Sequence, residues 1–371
     1  MKIAVPRELK NHEYRVGLVP GGARELILAG HQVLVETNAG FGIGYSDQHY
    51  REIGAQVCQE ADQLYQEADL IIKVKEPLAA ERKKLRPDQI LFTYLHLAAD
   101  EQLTADLVNS GATCIAYETV TNARGELPLL APMSEVAGRM SIQAGAFCLE
   151  KSHGGAGVLL AGVAGTPPGK VVVIGAGVVG VNATQIAAGL GARVVVIDRS
   201  IERLRILEHL FPSRIETHFS TTHAIETQVL NADLVIGAVL ISGARAPCLV
   251  SEAMVQQMKP GAAIVDVAID QGGCVETSRP TSHDEPTFIQ HDVVHYGVTN
   301  MPGAVAKTSS YALNHATLPY IQQLAGLGLD AALKDNAGLL DGLNIYNGQV
   351  TQQAIAAEFN YPFVDATEIF Q

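Results

Sequence analysis

Four ionisable side chains in this sequence have types and positions that suggest chemistry on a carboxylate-bearing molecule. Arg15 lies in the charged segment NHEYRVGLVP, Lys75 ends the run IIKVK, His96 ends ILFTYLH, and Asp270 follows VDVAI. A guanidinium offers paired donors that match a carboxylate, and an imidazole titrates near neutral pH, so it can take up and return protons. We predict that Arg15 and a lysine bind a substrate carboxylate and that His96 transfers protons.

Each of these residues also has a second interpretation. Arg15 can be a solvated surface arginine and His96 a structural or exposed histidine, as single polar residues usually are. Lys73 lies two residues before Lys75 and points to the same face if the strand continues, so position alone leaves both lysines as candidates. Asp266, four residues before Asp270, is interpreted as structural.

A glycine-rich turn follows a strongly apolar strand in the segment KVVVIGAGVVG. Gly175, Gly177 and Gly180 have the GxGxxG spacing, in which the glycines allow a tight turn, close backbone approach to a pyrophosphate, and close packing of helix on strand. The following segment, VNATQIAAGL, would direct its N-terminal amides at the phosphates. The segment therefore predicts a dinucleotide site.

An acidic residue follows at the position that such sites use for the ribose. The strand RVVVID ends at Asp198, close to the expected interval of about twenty residues. Asp198 would hydrogen-bond the adenosine ribose and repel a 2′-phosphate, which favours NAD over NADP. Arg199 and Arg203 weaken that preference, since an arginine can accommodate such a phosphate. Asp270, in the loop after another strand, is placed to face the nicotinamide.

The elements that must position these residues form two series of apolar strands separated by helical stretches. The alternation predicts an α/β fold of two Rossmann-like, doubly wound domains with a cleft between them. A long helix with Ser134 as its N-cap begins the second domain, and the C-terminal helices return to the first, making it discontinuous. Predicted strands cover residues 1–6, 31–36, 68–74, 89–95, 113–117, 170–174, 193–197, 234–237, 263–267 and 295–298. We predict a substrate domain at 1–133 and 305–371 and an NAD-binding domain at 134–304.

Composition limits the partners and the compartment. The 371 residues carry a formal net charge of −13, with 5% aromatic residues and no Trp, which argues against nucleic acid and against anionic membranes. The five cysteines form no CxxC pair, which is typical of reduced thiols in a cytoplasmic protein. No HExxH metal motif and no GxSxG nucleophile motif occurs in the sequence.

Several longer segments resemble the NAD-dependent L-alanine dehydrogenases, in the alanine dehydrogenase and pyridine nucleotide transhydrogenase family. They are VPRELKNHEYRVGLVPGGARELILAGHQVLVE, KVKEP, YLHLA, KVVVIGAGVVG and VTNMPGAVAKTSS. The resemblance covers essentially the whole chain in order. It implies reversible oxidative deamination of L-alanine to pyruvate and ammonium, with reduction of NAD. The alternative within the same ancestry is the soluble nucleotide-binding component of a transhydrogenase.

The resemblance also implies a role for each candidate residue. Arg15 would bind the substrate carboxylate, and Lys75 rather than Lys73 would contact the carboxylate or carbonyl oxygen. His96 would be the acid/base and Asp270 its catalytic partner. The family's cofactor contacts match Ser134, Val178, Asp198, Arg203, Ser220, Val239, Leu240, Val267, Ala268, Ile269, Asp270, Arg279, Val298, Thr299, Asn300 and Met301.

Two further family properties follow from the resemblance. Members are commonly homohexamers. Some bind magnesium through Glu118 and a histidine near the position of Leu327, but the local sequence GLGLDAAL has no histidine, so we predict no metal site.

Overall fold

The structure, a computed structural model, describes residues 1–239 and 246–370. The chain divides into two units, one made of Met1–Met133 with Gly303–Gln371 and one of Ser134–Pro302. The divisions fall within one α-helix and one 3-10 helix. The functional roles predicted for the two domains stay predictions.

Strands and helices alternate along most of the chain. The strands are β1 (Lys2–Val5), β2 (Gln32–Glu36), β3 (Gln56–Cys58), β4 (Leu70–Ile72), β5 (Ile90–Thr93), β6 (Thr113–Ala116), β7 (Lys170–Ile174), β8 (Arg193–Asp198), β9 (Ile215–Phe219), β10 (Leu234–Gly237), β11 (Ala263–Asp266), β12 (Thr287–Gln290), β13 (Val293–Tyr296), β14 (Leu343–Tyr346) and β15 (Gln349–Val350). The α-helices are α1 (Pro20–Leu28), α2 (Asp47–Glu52), α3 (Ala61–Glu67), α4 (Ala79–Arg82), α5 (Glu101–Ser110), α6 (Ala131–Cys148), α7 (Val178–Leu190), α8 (Ile201–Leu210), α9 (Thr222–Leu230), α10 (Glu252–Val255), α11 (Ala306–Leu327), α12 (Leu329–Asp335), α13 (Ala337–Asp341), α14 (Gln353–Phe359) and α15 (Ala366–Ile369). The 3-10 helices are Phe41–Ile43, Leu97–Ala99, Tyr117–Thr119, Lys151–His153, Val267–Gln271 and Met301–Val305.

The first unit is built on an eight-stranded sheet of order β15-β14-β6-β5-β4-β1-β2-β3. Strands β1 to β6 are parallel, and β14 and β15 extend the sheet antiparallel. Alternate residues of β1 enter different apolar clusters: Ile3 and Val5 pack in one and Ala4 in the other. Because successive strand residues point to opposite faces, both faces of this sheet are covered.

The second unit repeats this plan in a seven-stranded sheet of order β12-β13-β11-β10-β7-β8-β9. All neighbouring strands are parallel except β12, which pairs antiparallel with β13. Val171 and Val173 of β7 pack in one apolar cluster, whereas Val172 and Ile174 pack in another. The α/β Rossmann-like class predicted from the sequence is confirmed for both units.

Each sheet has one point where the strand order reverses. In the first unit it lies between β1 and β4, and in the second between β7 and β10. In doubly wound sheets, ligands bind outside the carboxyl ends of the strands at such a point. The loops that follow β1, β4, β7 and β10 are therefore the positions where ligand contacts are expected.

Some predicted elements differ from those in the structure. The prediction that Ser134 caps a helix is wrong: α6 begins at Ala131, and Ser134 lies inside it. Pro132 is tolerated there because the first turn of a helix does not use its own N–H groups. The prediction omits the strands β3, β9, β12, β14 and β15. In the described residues, no helix is long and apolar enough to cross a membrane.

The buried His295 of β13 makes the folding stability of the second unit depend on pH. Its Nε2 lies 2.7 Å from Thr277 Oγ1 and its Nδ1 lies 3.0 Å from the Val293 carbonyl oxygen. Burial disfavours the imidazolium and lowers the pKa of His295, despite the opposing effect of the Val293 carbonyl. The unfolded chain therefore binds this proton at a higher pH than the folded chain does.

The consequence is a loss of stability on acidification. The contribution of His295 to the free energy of unfolding is complete above the unfolded-state pKa of about 6.5. This contribution is lost as the pH falls below that value. We expect the melting temperature of wild type to fall more steeply below this pH than that of a His295→Gln variant. Parallel melting-temperature curves for the two proteins would contradict this linkage.

Candidate functional site

The predicted substrate-binding residues and the predicted proton-transfer residue follow three strands that are neighbours in the first sheet. Arg15 lies in the loop after β1, Lys75 follows β4, and His96 follows β5. β1, β4 and β5 are adjacent parallel strands, so the loops that follow them leave the sheet at the same edge. The structure therefore brings these residues to one edge, beside the reversal point of the first unit.

Arg15 is buried, with 2% of its surface exposed, so the interpretation as a solvated surface arginine is wrong. Its Nε and Nη2 donate to the two carboxylate oxygens of Glu13 at 2.7 and 2.6 Å, and its Nη1 lies 3.1 Å from Met133 Sδ. Burial alone would lower the pKa of Arg15, but the Glu13 carboxylate outweighs it and the pKa is raised. The guanidinium is a fixed, permanently charged fork.

Glu13 is a residue that the sequence prediction missed. Its carboxylate accepts from the Arg15 side chain and also from the Arg15 backbone N–H at 3.1 Å. The spacing E-x-R in NHEYR is the available signal, but it is too common to single out a buried pair. Glu13 fixes the plane of the guanidinium, as a carboxylate in a bidentate pair does.

The structure separates the two lysines that the sequence left open. β4 ends at Ile72, before either lysine, and the two lysines have different environments. The Lys73 ammonium is fully buried and donates to Glu81 at 2.8 Å and to Glu8 at 3.3 Å. Burial would lower the pKa of Lys73, but these two carboxylates outweigh it and raise it. Lys73 is thus a structural cation, while Lys75 is only half-buried.

Substituting the two lysines should separate stability from activity. Lys73→Met leaves two buried carboxylates without their cation, a loss of about 3–5 kcal/mol in the free energy of unfolding. Lys75→Met, at a half-buried lysine, should cost less stability than Lys73→Met and lower kcat/KM for substrate roughly 10- to 150-fold, because one charged hydrogen bond is lost. Urea unfolding and steady-state kinetics of both variants test this. Equal loss of stability in the two would contradict the assignment.

His96 lies three residues beyond the end of β5 in an unusual backbone conformation. Its φ of 51° and ψ of 41° are in the left-handed region, and it precedes the 3-10 helix Leu97–Ala99. Its side chain is 48% exposed, and the ring is parallel to that of Tyr94 at a centroid distance of 6.0 Å. The carboxylate of Glu118, which follows β6, accepts the His96 backbone N–H at 2.6 Å.

Asp266 and Asp270 have different environments after β11. Asp266 is buried and accepts the backbone N–H groups of Ala268, Cys274 and Val275 at 3.2, 3.0 and 3.1 Å, as a structural residue does. Burial raises the pKa of Asp266, although hydrogen bonds from Ser278, Val275 and Cys274 oppose the rise. Asp270 is exposed and lies in the 3-10 helix Val267–Gln271, in which Asp266 caps the Ala268 N–H.

The glycine-rich turn between β7 and α7 fits a dinucleotide. Gly175 has a φ of 108°, and a Cβ there would lie 2.6 Å from the Ala238 carbonyl oxygen. A Cβ at Gly180 would lie 1.8 Å from the Gly175 carbonyl oxygen. Gly177, the N-cap of α7, has no atom within 4 Å of its Cβ position. Packing thus requires two of the glycines, whereas the third leaves open space for a ligand.

Gly177 can therefore be tested without disturbing the fold. Gly177→Ala should leave the melting temperature unchanged. If its methyl group meets a bound pyrophosphate, a clash of about 1–3 kcal/mol raises the Kd for NAD roughly 5- to 150-fold. Gly189→Ala, on the same helix and also without a neighbour within 4 Å, is the matched control and should not change the Kd. An unchanged Kd in Gly177→Ala would contradict the proposed approach of the pyrophosphate.

Asp198 is at the carboxyl end of β8 and borders a cavity of about 510 Å³. Its Oδ2 accepts the Ala176 N–H at 2.6 Å and its Oδ1 accepts the Ser200 N–H at 2.7 Å. The carboxylate therefore also connects the glycine-rich turn to the start of α8. The same cavity is lined by Arg199 and Arg203. The Asp198 carboxylate could accept a hydrogen bond from a ribose hydroxyl, and the neighbouring arginines could bind a phosphate.

Most other predicted cofactor residues follow strands that end at this same edge of the second sheet. Ser220 follows β9, Val239 follows β10, the run 267–270 follows β11, and the run 298–301 follows β13. Val178 begins α7, and Ser134 and Arg279 lie outside these loops, in α6 and before β12. The predicted contact Leu240 lies outside the described residues. The roles of all these residues stay predictions.

The residues present do not fit the magnesium site of the resembled family. Both oxygens of Glu118 already accept backbone N–H groups, and Leu327 offers no donor atom from its exposed hydrocarbon side chain. Magnesium prefers several oxygen ligands. In the described part of the chain, no group of three or more His, Cys, Asp or Glu residues is placed to hold a metal ion.

Two sequence families match this chain. The family described as alanine dehydrogenase/PNT, N-terminal domain, matches residues 4–137. The family described as alanine dehydrogenase/PNT, C-terminal domain, matches residues 141–353. Together they cover most of the sequence.

Individual proteins match over the full length. An alanine dehydrogenase of Halomonas elongata is 55% identical over 369 residues, 100% of both chains. One from Bacillus subtilis is 53% identical over 372 residues, 100% of this chain and 98% of that one. A solved L-alanine dehydrogenase superposes with a TM-score of 0.94 at 53% identity. The match covers 97% of this chain and 99% of that one. A transhydrogenase from Sinorhizobium meliloti shares the fold, with a TM-score of 0.80 at 24% identity. That match covers 95% of this chain and 100% of the transhydrogenase.

Proposed function

Since this chain belongs to the alanine dehydrogenase/PNT family, we propose that it catalyses the reversible oxidative deamination of L-alanine to pyruvate and ammonium with NAD. The chain is an NAD-dependent amino-acid oxidoreductase. The observation that carries the proposal is 55% identity to an alanine dehydrogenase along the whole of both chains.

Substrate binding is assigned to the first unit. The Arg15 guanidinium, whose plane Glu13 fixes, would bind the alanine carboxylate, and Lys75 would bind its second oxygen or the carbonyl oxygen of pyruvate. Because Glu13 already neutralises this cation, Arg15 would hold the substrate carboxylate through oriented N–H donors more than through net charge. The small methyl group of alanine requires little space beside these charges.

Proton transfer is assigned to His96. When bound, NAD supplies the hydride acceptor for the substrate α-carbon. The His96 imidazole would take a proton from the water that attacks the substrate iminium carbon and would return it in the reverse direction. The Asp270 carboxylate would stabilise the cationic substrate and orient that water. These assignments give one base, one carboxylate and two cations to the reaction.

The transhydrogenase component is a weaker candidate. The structural likeness to the Sinorhizobium meliloti protein at 24% identity concerns the fold and not the reaction. A hydride relay between nucleotides does not need a carboxylate-binding arginine, a lysine and a histidine at the edge of the first sheet.

Assembly and compartment are separate proposals. The family resemblance supports a homohexamer. The five cysteines are all free thiols, four of them buried, which supports a reducing compartment such as the cytoplasm. Light scattering of the purified chain tests the hexamer, and cell fractionation tests the compartment.

A substrate panel tests the proposed activity. NADH formation should be fastest with L-alanine, and glycine and L-serine should be discriminated roughly 10- to 200-fold in kcat/KM, as one methyl or hydroxyl group allows. NADP in place of NAD should give a lower kcat/KM, because the Asp198 carboxylate would repel a 2′-phosphate. No NADH formation from any small amino acid, with nucleotide binding retained, would favour the transhydrogenase alternative.

A further inference from the structure

The carboxylate of Glu118 holds the backbone that carries His96. Its Oε1 accepts the Leu95 N–H at 3.1 Å and the His96 N–H at 2.6 Å, and its Oε2 accepts the Leu95 N–H at 3.2 Å. The side chain of Glu118 is 15% exposed, so these hydrogen bonds are largely shielded from water. Glu118 reaches them from the 3-10 helix Tyr117–Thr119, which follows the neighbouring strand β6.

These hydrogen bonds are made at a residue whose backbone conformation is unfavourable for most side chains. His96 is in the left-handed region, which few residues other than glycine adopt, although histidine adopts it more readily than most. Two successive N–H groups beside a left-handed residue form a concave donor pair that favours an anion. Glu118 supplies that anion from within the chain.

The imidazole direction depends on this backbone. The His96 ring extends from a left-handed residue, and its Nδ1 lies 3.9 Å from Glu118 Oε1, beyond a direct hydrogen bond. Tyr94, the residue before Leu95, is held separately, because its hydroxyl donates to the Leu129 carbonyl at 2.6 Å. Between that anchor and the 3-10 helix Leu97–Ala99, the Leu95 and His96 amides are both held by one carboxylate.

We propose that Glu118 is a positioning residue that acts through His96: it fixes the Leu95–His96 backbone and thereby the direction of the imidazole. This inference rests on the proposed function, in which His96 transfers protons. It differs from the metal-binding role of Glu118 in the resembled family, because it uses the carboxylate oxygens as acceptors of backbone N–H groups. Leu327 provides no partner ligand for a metal.

Two variants separate the acceptor from the charge. Glu118→Gln retains an oxygen at the position that accepts both amides, but it loses the charge. Glu118→Leu has a similar size and no acceptor. Misplacement of a reacting group by about 1 Å costs roughly 10²-fold, so Glu118→Leu should lower kcat for L-alanine by about that factor. Glu118→Gln should retain most of the wild-type kcat, and the KM for NAD should stay unchanged in both variants.

Two further readouts distinguish positioning from a general structural effect. In a His96→Ala background, Glu118→Leu should change the residual kcat by less than about twofold, because coupled residues are non-additive. Amide hydrogen exchange at Leu95 and His96 should accelerate in Glu118→Leu, while exchange in β5 stays slow. Glu25→Leu, at an exposed carboxylate on α1, is the matched control and should change none of these quantities.

The outcomes are distinct. A kcat in Glu118→Gln as low as in Glu118→Leu would overturn the inference in favour of a role for the charge. Two other results would also overturn the inference. One is a full additional loss of kcat when Glu118→Leu is added to His96→Ala, and the other is unchanged amide exchange at Leu95 and His96 in Glu118→Leu. Absence of L-alanine turnover in the wild type would instead overturn the proposed function, while the hydrogen-exchange result still reports on the backbone contact.

Discussion

Replacing His96 with alanine is expected to lower kcat for L-alanine oxidation by roughly 10²- to 10⁴-fold, the range that general acid–base catalysis contributes. The expectation follows from the position of His96 after β5, beside Arg15 and Lys75 at one sheet edge. Binding of NAD should be unaffected, because the glycine-rich turn and Asp198 belong to the second unit. Steady-state kinetics and a fluorescence titration with NADH measure the two quantities.

A second histidine in the same unit serves as the control for this variant. His31 precedes β2 and is therefore at the opposite, amino end of the sheet. His31→Ala should retain wild-type kcat. If His96→Ala retained more than about a tenth of wild-type kcat, proton transfer by His96 would be excluded.

Replacing Arg15 with lysine is expected to raise the KM for L-alanine roughly 10- to 150-fold with a smaller change in kcat. Lysine keeps the charge but loses the planar pair of donors, and a hydrogen bond between charged groups contributes about 1.5–3 kcal/mol. Arg15→Ala is a poorer test, because it leaves the buried Glu13 carboxylate without its cation at a cost of about 3–5 kcal/mol. Substrate kinetics and thermal unfolding should be measured on both variants.

The matched variant for this prediction is Glu13→Gln, which keeps the shape of the pair and removes the anion. It should weaken L-alanine binding less than Arg15→Lys does, because the guanidinium itself remains. An unchanged KM for L-alanine in Arg15→Lys would contradict carboxylate binding by Arg15.

Much of the fold was predictable because the two strand series are apolar on both faces. Val171 to Ile174 and Val194 to Ile197 pack into clusters on both sides of the second sheet, and such runs are typical of buried parallel strands. The missed strands have mixed or short patterns. β9 (IETHF) is half-exposed, and β15 has two residues, so neither carries a periodic apolar signal.

The local sequence was less informative about the candidate site. The glycine spacing and Asp198 were visible because their function depends on adjacent backbone positions. The burial of Lys73 with Glu8 and Glu81, and the pairing of Arg15 with Glu13, depend on how loops after different strands meet. The contact of Glu118 with the His96 amide joins residues 22 positions apart, which no short motif encodes.

Hydride transfer from the α-carbon of alanine can be followed by isotope. L-alanine carrying deuterium at that carbon should give NADH with one deuterium atom, together with pyruvate and ammonium in equal amounts, by mass spectrometry. Unlabelled NADH from the labelled substrate, or pyruvate formed without NADH, would show that this chain does not oxidise alanine by the proposed reaction.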